Sequence, residues 1–239
     1  MNPIWVIAKK ELNSYFNSLI GYLILSIFLI FIGAFTWLIG NDVFIRQQAT
    51  LSEFFGWAPI FLLFIVPALT MKQIAEERRI GTIELLLTKN VTNRQLILGK
   101  FLACFLMVAI TIAFTLPYYI TISQLGNVDH GAIISGYLGL LVLSAAFTSI
   151  GIFASSLTQN QIVAFLLALV INVILLWILG FVGQYMTGFI GDLLNTLSIP
   201  EHYSSISRGV LDTKDLVYFG SLIFLFLFLA ELNISKSTN

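Results

Sequence analysis

Charged residues are scarce in this 239-residue chain: twelve Lys and Arg and twelve Asp and Glu make up 10% of it, whereas hydrophobic residues make up 58%. An ordinary soluble domain is about 25% charged, so this composition excludes a soluble globular protein. The acidic and basic residues cancel to a formal net charge of zero. Nothing in this balance would hold nucleic-acid phosphates by releasing their counterions, and we therefore expect no nucleic acid among the partners.

Residues that bind metals or perform catalysis are also rare. The chain has one cysteine, Cys104, which excludes an intrachain disulfide framework and a cysteine-rich metal cluster, and two histidines, His130 and His202, far apart in sequence. It has no Gly-x-x-x-x-Gly-Lys-Ser/Thr phosphate loop and no His-Glu-x-x-His motif. The sequence therefore predicts a non-enzymatic chain that binds no metal or cofactor itself. His202 and Glu201 are expected to form a pair on the surface or in an interface.

Long apolar runs take the place of charge. A helix needs about 20 mostly apolar residues to cross the roughly 30 Å hydrocarbon core of a bilayer, because its backbone polar groups must be paired internally. Residues 131–191 carry no charge and suffice for two crossings joined by the polar turn 155–160. The other predicted spans are 19–41, 54–71, 101–128 and the slightly short 216–230. We predict an all-α integral membrane protein with six transmembrane helices, in which residues 1–239 form a single membrane domain.

Basic residues are distributed unevenly between the predicted loops. With the N-terminus inside, the outer loops hold only Arg46, Arg208 and Lys214, and the other Lys and Arg residues flank the inner ends of the spans. Short loops rich in Lys and Arg are retained on the cytoplasmic side of a membrane. Six crossings return the chain to its starting side, so we predict that both termini are cytoplasmic.

Residues 1–18 precede the first span and have amphipathic spacing. Trp5 and Leu12 belong to an apolar set that recurs at helical intervals, whereas Lys9 and Lys10 fall on other faces. Asn2 is suited to cap the start of this helix. We predict an N-terminal interfacial helix, which serves either as a simple anchor on the membrane surface or as a docking surface for a cytoplasmic partner.

The loop between spans two and three, residues 72–100, is the most informative segment outside the bilayer. Span two is expected to continue as a helix until Gly81 permits a break, after which Thr82 caps a short helix with Glu84 in its first turn. Leu86 and Leu87 help to give this short helix an apolar face, where a solvated loop would be polar. That face packs either against its own membrane domain or in the groove of a soluble partner.

The predicted spans contain no ionisable acid or base. A proton-coupled carrier usually needs one near the bilayer midplane, where it costs about 2.5 to 3.5 kcal/mol on insertion scales. Its absence counts against a secondary transporter. The polar residues in the spans are expected mainly to hold helices together by hydrogen bonds and close packing. They are Thr36, Thr111, Thr115, Ser144, Thr148 and Asn172.

One motif carries a family resemblance: Glu76-Glu77-Arg78-Arg79-x-Gly81-Thr82-x-Glu84-x-Leu86-Leu87, followed by Gly99-Lys100. It resembles the signature of type-2 ABC exporter permeases. The resemblance implies that residues 72–100 hold a cytoplasmic coupling helix seated in a cleft of the ATP-binding subunit, and that the N-terminal helix is the second contact. It assigns the contact to Glu76, Glu77, Arg78, Arg79, Gly81, Thr82, Glu84, Leu86 and Leu87, with Trp5, Lys9, Lys10 and Leu12 on the interfacial helix.

A second resemblance lies in the predicted outer segment 183–215. Residues 199–212 and the following 215–219 are similar to the permease subunit of the gliding-motility ABC transporter. This resemblance implies short re-entrant helices that dip back into the outer leaflet, and a location in the bacterial inner membrane. The candidate residues of this segment are Pro200, Glu201, His202, Arg208 and Gly209.

Together these resemblances imply one half of an ATP-driven permease. The expected partners are lipid, a dimer of ABC ATP-binding subunits that bind ATP and Mg, and a second permease half. That half is either another copy of the chain or an accessory membrane protein with a large extracytoplasmic domain. The chain would convert ATPase motion into substrate export or conformational work. The alternatives are a mechanotransmission subunit with no transported substrate and an ATP-independent channel or carrier.

Overall fold

The computed structural model describes residues 2–39, 49–81 and 91–238, and the regular structure in those ranges is helical. This confirms the all-α fold class. In chain order the elements are α1 (Pro3–Phe16), α2 (Leu19–Trp37), α3 (Ser52–Thr70), α4 (Ala75–Arg79), α5 (Asn93–Ala113), α6 (Leu116–Leu125), α7 (His130–Ser156), α8 (Gln161–Val173), the π-helical turn π1 (Ile174–Ile178), α9 (Leu179–Tyr185), α10 (Phe189–Thr196), α11 (Ile199–Ser207) and α12 (Thr213–Thr238).

Within these ranges, six helical stretches are long and apolar enough to cross a membrane. They confirm the six predicted spans, and the predicted short helices between spans five and six are present as α10 and α11. The spans are Leu19–Trp37, Ser52–Arg79, Asn93–Leu125, His130–Ser156, Gln161–Tyr185 and Thr213–Lys236. Spans two and six extend past their uncharged runs at both ends and span three begins before its run, because helical hydrogen bonding continues into the polar flanks.

The longer helices of spans three and six include buried ionisable residues that lie just outside the uncharged runs 101–128 and 216–230. Span three begins at Asn93, so Lys100 lies within it, and span six begins at Thr213, so Asp215 lies in its first turn. Lys100 is only 1% exposed and Asp215 is fully buried. Each contacts an ionisable partner at 2.7 Å. Such pairing is the condition under which a buried charge is tolerated.

Span four, α7, lies at the centre of the bundle. It packs against α3, α5, α8, α11 and α12. Its buried surface is rich in small residues, which let neighbouring backbones approach closely in a membrane protein. They include Gly136, Gly139, Ala145, Ala146, Ser149 and Gly151. Spans one, five and six bury much less of their apolar surface, so their outward faces are left for lipid or another subunit.

The four threonines that were predicted to hold the spans together are buried, but three of them do not bond between helices. The hydroxyls of Thr36, Thr111 and Thr148 each donate to the carbonyl oxygen four residues earlier in the same helix. This satisfies the hydroxyl where the bilayer supplies no water. Thr115 differs, because its hydroxyl also lies 3.2 Å from the Tyr137 hydroxyl of span four. The expected interhelical hydrogen bond is therefore present at Thr115, and the other three threonines contribute to helix contacts by packing.

Candidate functional site

The N-terminal helix α1 lies directly against the start of span three. The Asn2 side chain accepts a hydrogen bond from the Ile4 N–H at 3.1 Å, which confirms the predicted cap. At Gly99 in span three, an added Cβ would lie 2.7 Å from the Cβ of Ile7 and 3.1 Å from the Ile4 carbonyl oxygen. The two helices reach this separation because Gly99 has no side chain.

The predicted residues of α1 divide between two faces. Leu12 is partly buried and packs against the hydrophobic core. Trp5 is 51% exposed, and Lys9 and Lys10 are also exposed. Leu12 therefore attaches the helix to the bundle, while the other three residues face outward.

Lys100 joins α1, α4 and span three. Its Nζ donates to Glu77 Oε1 at 2.7 Å and lies 3.6 Å from Glu11 Oε1. The lysine side chain is 2% exposed and the two carboxylates are 16% and 19% exposed. Charge-assisted hydrogen bonds of this length are among the strongest in proteins. We call Glu11, Glu77 and Lys100 the inner ion cluster, and it fixes the relative positions of the three helices that supply them.

A second contact ties α1 to span two. The Tyr15 hydroxyl donates to the Leu69 carbonyl oxygen at 2.7 Å and accepts a hydrogen bond from the Gln73 side-chain amide. The Lys72 ammonium lies 5.0 Å from the centre of the Tyr15 ring, within the range of a cation–π interaction. Burial raises the pKa of Tyr15 well above its ordinary value, so the phenol keeps the proton that it donates.

Span four holds the turn between α3 and α4 through one hydroxyl. Ser155 Oγ accepts hydrogen bonds from the backbone N–H groups of Ile74 and Ala75, both at 3.0 Å, and donates to the Met71 carbonyl oxygen at 2.9 Å. These backbone groups would otherwise lack partners in a buried turn, which is costly. One side chain of the central helix therefore fixes the course of the chain as span two ends.

The acidic and basic residues of α4 point in two directions. Glu77 enters the inner ion cluster, and Arg78 Nη2 donates to the carbonyl oxygen of Asn233 in α12 at 3.2 Å. Glu76 and Arg79 instead form an exposed pair at 3.8 Å. Two of these predicted coupling residues thus bind the bundle, and the other two remain at the surface.

Gly81 ends α4, as the sequence predicted. Its φ of +72° lies in the left-handed region, which glycine adopts without steric cost. Ile80, immediately before it, is 60% exposed. We call Trp5, Lys9, Lys10, Glu76, Arg79 and Ile80 the inner-face surface. The remaining predicted coupling residues, Thr82, Glu84, Leu86 and Leu87, lie outside the described residues.

The candidates of the outer segment lie at the opposite end of the bundle. Span two runs from Ser52 to Arg79, and its inner end carries the contacts of Tyr15 and Ser155. At its other end, the Tyr203 hydroxyl of α11 donates to the Phe55 carbonyl oxygen at 2.8 Å. The described inner candidates therefore lie at one end of the bundle, a membrane span away from the outer ones.

His202 corrects the expectation of a surface pair with Glu201. It is 5% exposed, with Nδ1 2.7 Å from Asp215 Oδ1 and Nε2 2.8 Å from the Thr196 carbonyl oxygen. Its ring stacks on Tyr218 with the ring centroids 3.9 Å apart. Adjacent residues of a helix face different ways, so α11 turns Glu201 outward and His202 inward. His202 thereby attaches α11 to the start of span six.

The other outer candidates shape the ends of α11. Pro200 lies in its first turn, where a missing backbone N–H costs nothing. Arg208 follows its last residue, and Arg208 Nε donates to the Ser204 carbonyl oxygen at 3.0 Å. Gly209 has a φ of +100°. Glu201 and Arg208 are both exposed.

A comparison of the sequence with known protein families identifies the family of this chain. A family model described as an ABC-2 family transporter protein matches residues 5–230. The chain belongs to the ABC-2 family. It is therefore a multi-pass membrane permease subunit of an ABC transporter, and ATP hydrolysis is carried out by a separate ABC ATP-binding subunit. No curated protein matches the chain.

Sequence reasoning missed four residues that organise the inner end of this ABC-2 permease: Glu11, Tyr15, Gln73 and Ser155. The sequence predicts Ser155 only as part of the polar turn between spans four and five. The predicted loop ends at Lys100. A lone lysine beside an apolar run, with Glu77 in the same loop, is a signal that could have predicted their pairing. The other contacts join residues distant in sequence and leave no local pattern.

Proposed function

We propose that this ABC-2 permease receives the motion of a dimer of ATP-binding subunits through the inner-face surface, with ATP and Mg bound by those subunits. The observation that supports this best is the inner ion cluster, since Lys100 joins α1 and α4 to span three. A partner that displaces either helix would displace the membrane span with it. The proposal rests on this mechanical connection and on the family's ATPase partner.

The strength of the connection follows from its burial. If α1 and α4 moved away while span three stayed in place, Lys100 would be left buried without its carboxylate partners. An uncompensated buried charge costs about 3–5 kcal/mol, so the two helices resist moving independently of span three. The contacts of Tyr15 and Ser155 extend this mechanical connection to spans two and four. A push on α4 would therefore reach three spans instead of being absorbed by a compliant loop.

We infer further that the complex is of the gliding-motility type, in the bacterial inner membrane, with both termini in the cytoplasm. The resemblance of residues 199–219 supports the first point. The second is supported by the basic residues Lys9, Lys10, Lys72 and Arg94, which lie on the segments at the inner end. The second permease half is another copy or an accessory membrane protein, and the output is export or conformational work.

The orientation is testable because the native Cys104 is buried. We expect Arg94→Cys, which is exposed at the inner end and lies outside the inner-face surface, to react with a membrane-impermeant maleimide only after the cells are opened. Lys214→Cys should react in intact spheroplasts. The reverse pattern would contradict the proposed topology.

The coupling assignment is tested by a matched pair of substitutions. Ile80 on the inner-face surface and Val210 in the outer segment are both 60% exposed. We expect Ile80→Asp to weaken co-purification of the ATP-binding subunit roughly tenfold or more, the loss typical of an interface anchor. Val210→Asp should have no such effect. If both variants retain the ATP-binding subunit at the normal yield, the inner-face surface is not the contact.

A further inference from the structure

A groove lies at the outer end of the bundle, between span five and α11. Two adjoining cavities of about 680 and 390 Å³ form it, and they share Leu176, Trp177, Pro200 and Ser204 in their walls. The groove takes no part in the contacts of Tyr15 and the inner ion cluster, which lie at the other end of span two. An inference about it is therefore independent of the proposed coupling function.

The two walls of the groove have opposite character. The span-five wall is mainly apolar, with Leu176, Trp177 and Phe181, and its polar residue, Gln184, lies one residue before the end of the span. The α11 wall is polar, with Glu201 and Ser204 in the first cavity and Ser204 and Arg208 in the second. A ligand that fits this lining is amphiphilic, because its apolar part must lie along span five and its polar groups along α11.

The charges of the polar wall are arranged in a line. Glu201, Ser204 and Arg208 are spaced i, i+3 and i+7 and so share one face of the helix. The hydrogen bond from Arg208 Nε to the Ser204 carbonyl oxygen holds the guanidinium along this face. An acid at one end and a guanidinium at the other complement a headgroup that carries both an ammonium and a phosphate.

The depth of the groove also matches a lipid. At about 1.5 Å per residue, Trp177 lies roughly 12 Å from the Tyr185 end of span five. Pro59, which lines the second cavity, lies roughly 10 Å from the start of span two. The apolar part of the groove thus descends into the hydrocarbon layer, about 30 Å thick, while Glu201 and Arg208 remain exposed at its polar end.

We propose that this groove is a binding site for one phospholipid of the phosphatidylethanolamine class. The phosphate binds Arg208, the ammonium binds Glu201, and an acyl chain lies against Trp177 and Leu176. The site holds the lipid in the leaflet opposite the inner ion cluster. Phosphatidylglycerol has the phosphate but no ammonium, so it should bind more weakly.

The test measures lipid bound to the purified chain. The protein is reconstituted in nanodiscs of equal phosphatidylethanolamine and phosphatidylglycerol, released into mild detergent, and its retained lipids are counted by native mass spectrometry. Wild type should retain one phosphatidylethanolamine in preference to phosphatidylglycerol. Arg208→Ala should reduce this retention roughly tenfold, as expected for the loss of a charge-assisted hydrogen bond. Glu201→Gln should remove the preference between the two lipids while leaving phosphate binding.

Controls separate the site from general surface charge and from misfolding. Lys214→Ala removes an exposed basic residue from the same end of the bundle, outside the lining of the two cavities, and should retain lipid as wild type does. Trp177→Ala alters the apolar wall without changing any charge and should also lower retention. Equal phosphatidylethanolamine retention by wild type, Arg208→Ala and Trp177→Ala would overturn the proposal. Crosslinking of Trp177→Cys to a second copy in native membranes would overturn it as well, because a protein would then fill the groove.

Discussion

Replacing Lys100 by methionine isolates the contribution of the inner ion cluster. Methionine keeps most of the apolar stem but removes the ammonium, and it leaves Glu11 and Glu77 close together with only 19% and 16% of their side chains exposed. Removing one partner of a buried pair costs about 3–5 kcal/mol. The partial exposure of both carboxylates places Lys100→Met near the lower end, at about 3 kcal/mol.

The assay is reversible unfolding in detergent, followed by circular dichroism, with a double variant as the decisive control. Neutral replacement of a buried ion pair is often tolerated, so Lys100→Met combined with Glu77→Gln should recover much of the lost stability. Lys10→Met removes an exposed lysine and should change stability by less than about 0.5 kcal/mol. If Lys100→Met is as stable as Lys10→Met, the inner ion cluster does not hold the three helices together, and the proposed mechanical connection between α1, α4 and span three is wrong.

Three further predictions concern other contacts. Gly99→Ala should destabilise the protein by about 1–3 kcal/mol through overpacking against α1. Gly220→Ala is the control, because a Cβ added at Gly220 meets nothing within 4 Å, and it should not destabilise the protein in this way. Equal stabilities of the two variants in thermal denaturation would refute the close contact at Gly99. Ser155→Ala should cost about 1–3 kcal/mol by leaving backbone N–H groups unpaired, whereas Ser149→Ala removes a hydroxyl bonded only within its own helix and should cost less in the same assay. Burial raises the pKa of Tyr15, so the folded protein binds the phenol proton more tightly than the unfolded chain. The contribution of Tyr15 to stability is therefore complete below pH about 10 and decreases as the pH rises above it. The free energy of unfolding of Tyr15→Phe, which lacks this proton, should decrease less than that of wild type over the same pH range.

The membrane architecture was predictable because each span is specified locally. An uncharged apolar run has few ways to satisfy its backbone in a bilayer, so the six helices follow from residues that are neighbours in sequence. The same holds for Asn2, which caps the helix that it begins, and for Gly81, whose left-handed φ ends α4. These features need no knowledge of the tertiary fold.

The inner ion cluster and the contacts of Ser155 were not predictable, because the residues that form them meet only in the folded bundle. Lys100 and Glu11 are brought together by the packing of α1 on span three, and Ser155 reaches the end of span two only because span four is central. His202 shows the same limit in the outer segment. Its neighbour Glu201 suggested a local pair, whereas its actual partner, Asp215, lies beyond the end of α11 at the start of span six.

The central position of span four has a consequence for biogenesis. When synthesis has reached Leu125, three spans have been made, but the helix against which α3 and α5 pack does not yet exist. Those early spans must wait in the lipid or beside the insertion machinery until His130–Ser156 enters the bilayer. The bundle therefore assembles around its fourth helix after that helix arrives. A chain truncated before it would leave the faces of α3 and α5 that pack on span four without their partner, exposed to the quality-control proteases of the membrane.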